Sequence, residues 1–145
     1  MKEKVSDKSK EIVLDAQEAV VGRLASFAAK KLLQGNKIRI INSKKAIIIG
    51  HKEDILEKYL AKRRLGHGAQ KGPHYPSKPD MMLRRTIRGM LPWKRTRGKE
   101  AYKKLLCFED APEQYKDKAI ALEKQKKEPL NFITLENLSK LVRQK

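Results

Sequence analysis

Apolar residues in this chain recur at two different spacings. Ile12–Leu14 is a short apolar run that predicts a strand, and Asp15 or Gln17 then opens a turn. From Val20 or Val21 to Leu33, the positions Val21, Leu24, Ala25, Ala28 and Leu32 repeat at the interval of a helix with one buried side, which Gly35 stops in a left-handed conformation. Lys37–Asn42 and Ala46–Ile49 are rich in β-branched residues and predict two strands, the second apolar throughout and so expected to be buried on both faces. Lys52–Leu65 predicts a helix with Ile55, Leu56, Tyr59 and Leu60 inward, its acids early and its bases late, as the helix dipole favours.

Beyond it the pattern breaks. Gly66–Pro79 is too rich in Gly and Pro for regular structure, and an irregular stretch of that length in a domain points to binding. Asp80–Leu91 resumes a helical period and Pro92 closes it. Gly98–Leu106 predicts another helix, running into an edge strand at Cys107–Glu109. Ala111–Lys118 is a polar connection, and Ala119–Lys127 favours helix up to Pro129. Thr134 then caps a final amphipathic helix through Leu135, Leu138, Leu141 and Val142. The order strand, helix, strand, strand, helix predicts an α/β layer structure over a small, at least partly parallel sheet. A length of 145 residues fits one domain, residues 12–145, behind a flexible polar tail at residues 1–11.

Charge changes this picture from a fold to a binding protein. Charged residues make up 36% of the chain against a usual quarter, and 35 Lys and Arg against 17 Asp and Glu leave a formal net charge of +18. The surplus concentrates in Lys62–Gly98, where eleven bases face one acid, Asp80. On the Asp80–Leu91 helix, Arg84, Arg85 and Arg88 share one sector, while Leu83, Ile87, Met90 and Leu91 share another. A solvated helix would interleave Glu with those arginines, and none is present. Guanidinium forks match phosphate oxygens, so the expected partner is nucleic acid, with an anionic membrane surface as the weaker candidate.

Candidate nucleic-acid-binding residues, RNA-binding if the resemblance given below holds, are Arg63, Arg64, His67, Lys71, His74, Lys78, Arg84, Arg85, Arg88, Trp93, Lys94, Arg95 and Arg97. His74, Tyr75 and Trp93 lie among the cations and either stack on bases or pack the loops against the core. Lys44 and Lys45, between two strands, read as a solvated turn. Several other chemistries lack their residues. Cys107 is alone and does not combine with His51, His67 and His74 at zinc-ligand spacing, so no metal is expected and the cysteine reads as a small buried residue. The chain contains no phosphate-binding glycine loop of the usual patterns, and Asp15 has no partner spacing that builds a nucleophile and base. Neither a cofactor, a small-molecule substrate nor catalysis is expected. An RNA-modifying enzyme and a non-specific DNA-binding protein remain the alternatives. The first residues lack the apolar centre of a signal peptide and no run is long enough to cross a bilayer, which predicts an intracellular protein without a membrane partner.

Three stretches resemble the large-subunit ribosomal protein L-thirteen family: VLDAQEAVVGRLAS with the following AAKKLLQGNKIRIINSKKAIIIG, GPHYPSKPDMMLRRTIRGMLPWKRTRG, and the C-terminal TLENLSKL. The run RTIRGMLPWKRTRG is the most specific, and Trp93 and Lys94 after MLP look like the archaeal and eukaryotic branch, with a short C-terminus more archaeal in kind. Bacterial members carry a His-rich segment after that run, whereas this chain has APEQY. The resemblance implies a three-layer α/β/α fold and a structural role in the large ribosomal subunit in the cytoplasm. It also implies direct binding to 23S-type rRNA beside neighbouring ribosomal proteins, with Arg84, Arg85, Arg88, Lys94, Arg95 and Arg97 in the segment that touches RNA.

Overall fold

The short apolar run and the β-branched run pair side by side in a computed structural model that describes residues 10–65, 72–121 and 129–144. In chain order the elements are β1 (Glu11–Asp15), α1 (Val21–Leu33), β2 (Lys37–Ile41), a 3-10 turn (Ser43–Lys45), β3 (Ile47–Ile49), α2 (Lys52–Arg64) and α3 (Pro79–Gly89). There follow α4 (Thr96–Lys103), β4 (Leu105–Cys107), α5 (Glu113–Lys116), β5 (Ala119–Ala121), β6 (Phe132–Thr134) and α6 (Leu135–Gln144). β1 and β2 run parallel from Glu11 opposite Lys37 to Asp15 opposite Ile41, and α1 supplies the crossover that parallel strands require. β4 flanks β2 and β5 flanks β1, both parallel, giving the strand order β4-β2-β1-β5. This all-parallel sheet with its surrounding helices is the α/β/α layer fold.

The core forms where the apolar faces meet. α1 turns Leu24, Ala25, Ala28 and Leu32 inward, α3 contributes Leu83 and Ile87, α6 contributes Leu135 and Leu138, and the sheet contributes Leu14, Ile38, Ile40 and Leu105. Gly35 ends α1 at φ +95°, with its N–H donating to the Leu32 carbonyl at 3.0 Å. Thr134 caps α6, its hydroxyl accepting from the Asn137 N–H at 3.3 Å.

Four expectations need correction. β3 does not join the parallel sheet: it pairs antiparallel with β6 as a two-stranded ribbon, and exposure rises along it from buried Ile47 through half-buried Ile48 to Ile49 at 45%, as the strand runs out of the core toward Gly50. Ala119–Ala121, expected as helix, is a strand, because pairing with Val13–Asp15 gives its backbone a ladder that local propensity does not foresee; residues 122–127 of that expected helix lie outside the described residues. The helix expected to reach Leu106 ends at Lys103, and the edge strand lies two residues earlier than expected. There the Ile38 N–H donates to the Lys104 carbonyl and the Phe108 N–H to the Ile40 carbonyl, at 3.1 and 2.8 Å. Met90, placed on the buried face by periodicity, is 42% exposed, since α3 stops at Gly89 and the chain turns before Leu91 re-enters the core. The Lys44–Lys45 turn is also more than solvent-facing. Lys44 pairs with Asp110, and that hydrogen bond, chiefly, raises the lysine's pKa.

Candidate nucleic-acid interface

Pro79 opens α3, where a missing N–H costs nothing, and Met82, Leu83 and Ile87 bury its inner face. That burial sets the rotation of the helix and leaves Arg84, Arg85 and Arg88 half-buried on its outer side. Each guanidinium lies over an aromatic ring. Arg84 is 4.7 Å from the centre of the Tyr102 ring, Arg85 is 4.2 Å from Tyr75, and Arg88 is 4.5 Å from Trp93. The Trp93 and Tyr102 rings brace each other edge to face at 5.1 Å and 87°. Lys62, near the end of α2, lies 5.5 Å from the Tyr59 ring and 5.6 Å from Tyr75, so one tyrosine joins the basic end of α2 to the arginines of α3.

The electrostatics of this face are one-sided. Among the described residues the ion pairs join Arg39 to Glu11, Lys44 to Asp110 and Lys140 to Glu136, and none of them reaches α3. The segment's one acid, Asp80, has a buried Oδ1 without a hydrogen-bond partner, and Arg84 Nε is in the same condition. Both charges are felt by Cys107. Burial pushes its thiol up to about 12, with Arg84 pulling down and Asp80 adding to the rise.

After α3 the chain folds tightly. The Trp93 N–H donates to the Leu91 carbonyl at 2.7 Å, the Arg95 N–H to Pro92 at 3.0 Å, and the Gly98 N–H to Arg95 at 3.1 Å. A side chain at position 98 would place its Cβ 2.2 Å from the Pro92 carbonyl oxygen, so this approach needs glycine. The turn holds Lys94 and Arg95 out to solvent.

The expected site residues divide by what they touch. Arg84, Arg85, Arg88 and Trp93 form the stacked face, and exposed His74 adjoins Arg85 and Arg88 across a shallow hollow. Trp93 is engaged within the protein, under Arg88 and against Tyr102. Lys78, Arg64, Lys94 and Arg95 are exposed. Arg63 and Arg97 each bond within the protein. Arg63 donates to the Val142 carbonyl at the end of α6, and Arg97 donates to the Leu33 carbonyl at the end of α1, at 3.1 Å. Cations at helix C-termini are favourable there. His67 and Lys71 lie outside the described residues.

Sequence reasoning counted Lys62 in the basic segment without singling it out, did not connect it with Tyr59, and read Tyr102 only as a core position of a helix. It also read α1 for its buried side alone. The opposite side carries exposed Arg23, Ser26 and Lys30, and Ser26 Oγ lies 3.6 Å from Met90 Sδ, which sets those cations beside the end of α3. Their recurrence at three- and four-residue intervals was the signal available.

A profile of the family described as Ribosomal protein L13 matches residues 9–114. The chain is 51% identical over 100 residues to "Large ribosomal subunit protein uL13" of Methanopyrus kandleri, an alignment covering 69% of this chain and 62% of that protein. To the protein of the same name from Methanococcus maripaludis it is 46% identical over 105 residues, covering 70% and 77%. To that of Thermoplasma acidophilum it is 40% identical over 131 residues, covering 90% of each. The aligned stretch thus spans less than two thirds of the Methanopyrus kandleri protein and nearly all of the Thermoplasma acidophilum one.

Proposed function

The chain belongs to the ribosomal protein L13 family, in its archaeal-type branch, and from that premise we propose that it is a structural, non-enzymatic component of the large ribosomal subunit in the cytoplasm. It binds folded 23S-type rRNA beside neighbouring ribosomal proteins, through the face built on α3 and the turn that follows. The observation that carries this reading is the state of Arg84, Arg85 and Arg88: each is stacked on a ring, and among the described residues none is paired with a carboxylate.

Stacking explains how the geometry serves binding. A guanidinium lying on a ring has its plane fixed by contacts worth about 0.5–1 kcal/mol at exposed sites, while its N–H donors point along the plane rather than into the ring. Part of the rotamer entropy that a free arginine would lose on meeting a phosphate is therefore already lost in the folded protein. Lys94 and Arg95 on the following turn, and Lys62 at the end of α2, extend the positive surface to either side. The α/β body fixes the register between them, with Arg63 and Arg97 holding the ends of α6 and α1.

The test is a filter-binding titration against folded large-subunit rRNA over a range of salt. Six to ten phosphate contacts would give a slope of log K against log salt of roughly 0.7–0.9 per phosphate, and a slope near zero or one would sink the reading. Sedimentation with large subunits through a sucrose gradient is the companion measurement.

A further inference from the structure

We infer that the cleft between the end of α2 and the outer side of α3 is a nucleotide pocket, taking one unpaired base of the bound RNA with its phosphate at the cationic rim. This deepens the RNA-binding reading above and rests on it. Tyr59, Lys62, Tyr75, Met82, Arg85 and Gly89 line a cleft of about 230 Å³. The walls combine two aromatic rings with an apolar floor, and the rim carries two cations and no carboxylate. That mixture suits a planar heterocycle bearing a negative charge.

Size and shape narrow the occupant. The volume is under the roughly 300–1,000 Å³ of sites that enclose cofactors or drug-sized molecules. Duplex RNA keeps its base faces stacked inside the helix, so only an extruded or single-stranded base can enter between Tyr59 and the stacked pair of Arg85 on Tyr75, where it would meet a guanidinium plane or displace the mobile end of Lys62 from a ring. Burial and, secondarily, Tyr75 raise the Tyr59 pKa above the usual tyrosine value, so the ring beside the cleft stays uncharged and does not repel a phosphate. The Thr86 hydroxyl, also on the lining, donates to the Met82 carbonyl at 3.0 Å and leaves its lone pairs as acceptors.

Gly89 is the independent mark. Glycine at the end of a helix with φ in the ordinary range is less favourable than alanine by about 0.5–1 kcal/mol, and a Cβ at this position would meet nothing within 4 Å. Packing within the protein does not require the glycine, whereas a ligand entering beside it benefits from the space. A neighbouring hollow of about 180 Å³, lined in part by His74 and Arg88, shares Arg85 with the first, so the rim stays cationic on its far side.

The experiment compares an RNA hairpin bearing one bulged uridine with the same hairpin fully paired, both fluorescently labelled, on the intact chain. The bulged hairpin is expected to bind about 5- to 150-fold more tightly, the range for one stacked base. Tyr75→Leu and Gly89→Leu should each bring that ratio close to one, with circular dichroism confirming the fold. If Tyr75→Leu disturbs the loop, Gly89→Leu still reads the pocket. Equal affinity for the two hairpins, or a ratio untouched by both variants, overturns the pocket while leaving RNA binding in place. If neither hairpin binds, the RNA reading fails and the pocket with it. Displacement of the bulged hairpin by micromolar AMP would assign the cleft to a free nucleotide and overturn the RNA assignment, whereas weak displacement supports it.

Discussion

The guanidinium of Arg88 rests 4.5 Å above the ring of Trp93, and the two residues come from either side of the bend that ends α3. Trp93 in turn meets Tyr102 of α4 edge to face. One aromatic residue therefore ties the arginine face to the helix that follows it. Trp93→Leu is expected to lower stability by about 1–2.5 kcal/mol, the sum of the aromatic pair and the stacked cation. It should weaken RNA binding as well, by releasing Arg88. Urea denaturation reads the first effect, and a midpoint unchanged from wild type would mean that the stack carries no load.

Replacing Arg84, Arg85 and Arg88 together with Gln should reduce the salt slope of rRNA binding by about 2–3, the share of three phosphate contacts. The same variant should lose only about 1.5–3 kcal/mol of stability, because each stack contributes about 0.5–1 kcal/mol. Parallel salt titrations of the two proteins make the comparison. An unaltered slope would remove these arginines from the interface.

Gly98 and Gly89 make a matched pair. Gly98→Ala sets a methyl group 2.2 Å from the backbone oxygen of Pro92, which cannot move aside as a side chain would. A loss of about 1–3 kcal/mol is expected despite alanine's better helix propensity. Gly89→Ala points into open space and should gain about 0.5–1 kcal/mol. Thermal midpoints shifting in the same direction for both variants would contradict this account of the bend.

Cys107 should be chemically quiet. Its thiol is pushed up to about 12, chiefly by burial, so the thiolate that reacts with iodoacetamide is scarce at pH 8 to 9 and labelling should be slow until denaturant is added. The folded pKa lies above the unfolded value of about 8.5, so the unfolded chain loses its proton first. Stability from this group is intact below about pH 8.5 and falls as pH rises toward 12. Arg84→Gln removes the charge that lowers the thiol pKa and should slow labelling further. Rapid labelling of the folded protein at pH 8 would refute the burial of this thiol.

The α1 period from Val21 to Leu32, the Gly35 stop and the Thr134 cap were legible because each depends on residues a few positions apart, where spacing and local backbone chemistry suffice. The basic surplus of Lys62–Gly98 was legible for the same reason, since charge is counted without geometry. Met90, Ile49 and Ala119–Ala121 were misread where a neighbour distant in the chain decided the outcome: the bend after Gly89, the ribbon with β6, the ladder offered by β1.

By itself, then, the amino-acid sequence determined that this chain forms α/β layers and carries cations its own acids cannot match. Only the tertiary structure decided that Arg84, Arg85 and Arg88 lie on Tyr102, Tyr75 and Trp93, and that Arg63 and Arg97 serve helix ends instead. The reason is physical: helical spacing places a guanidinium on one side of a helix, but which ring or carbonyl it meets depends on how separate elements pack, and that is settled by the core they share.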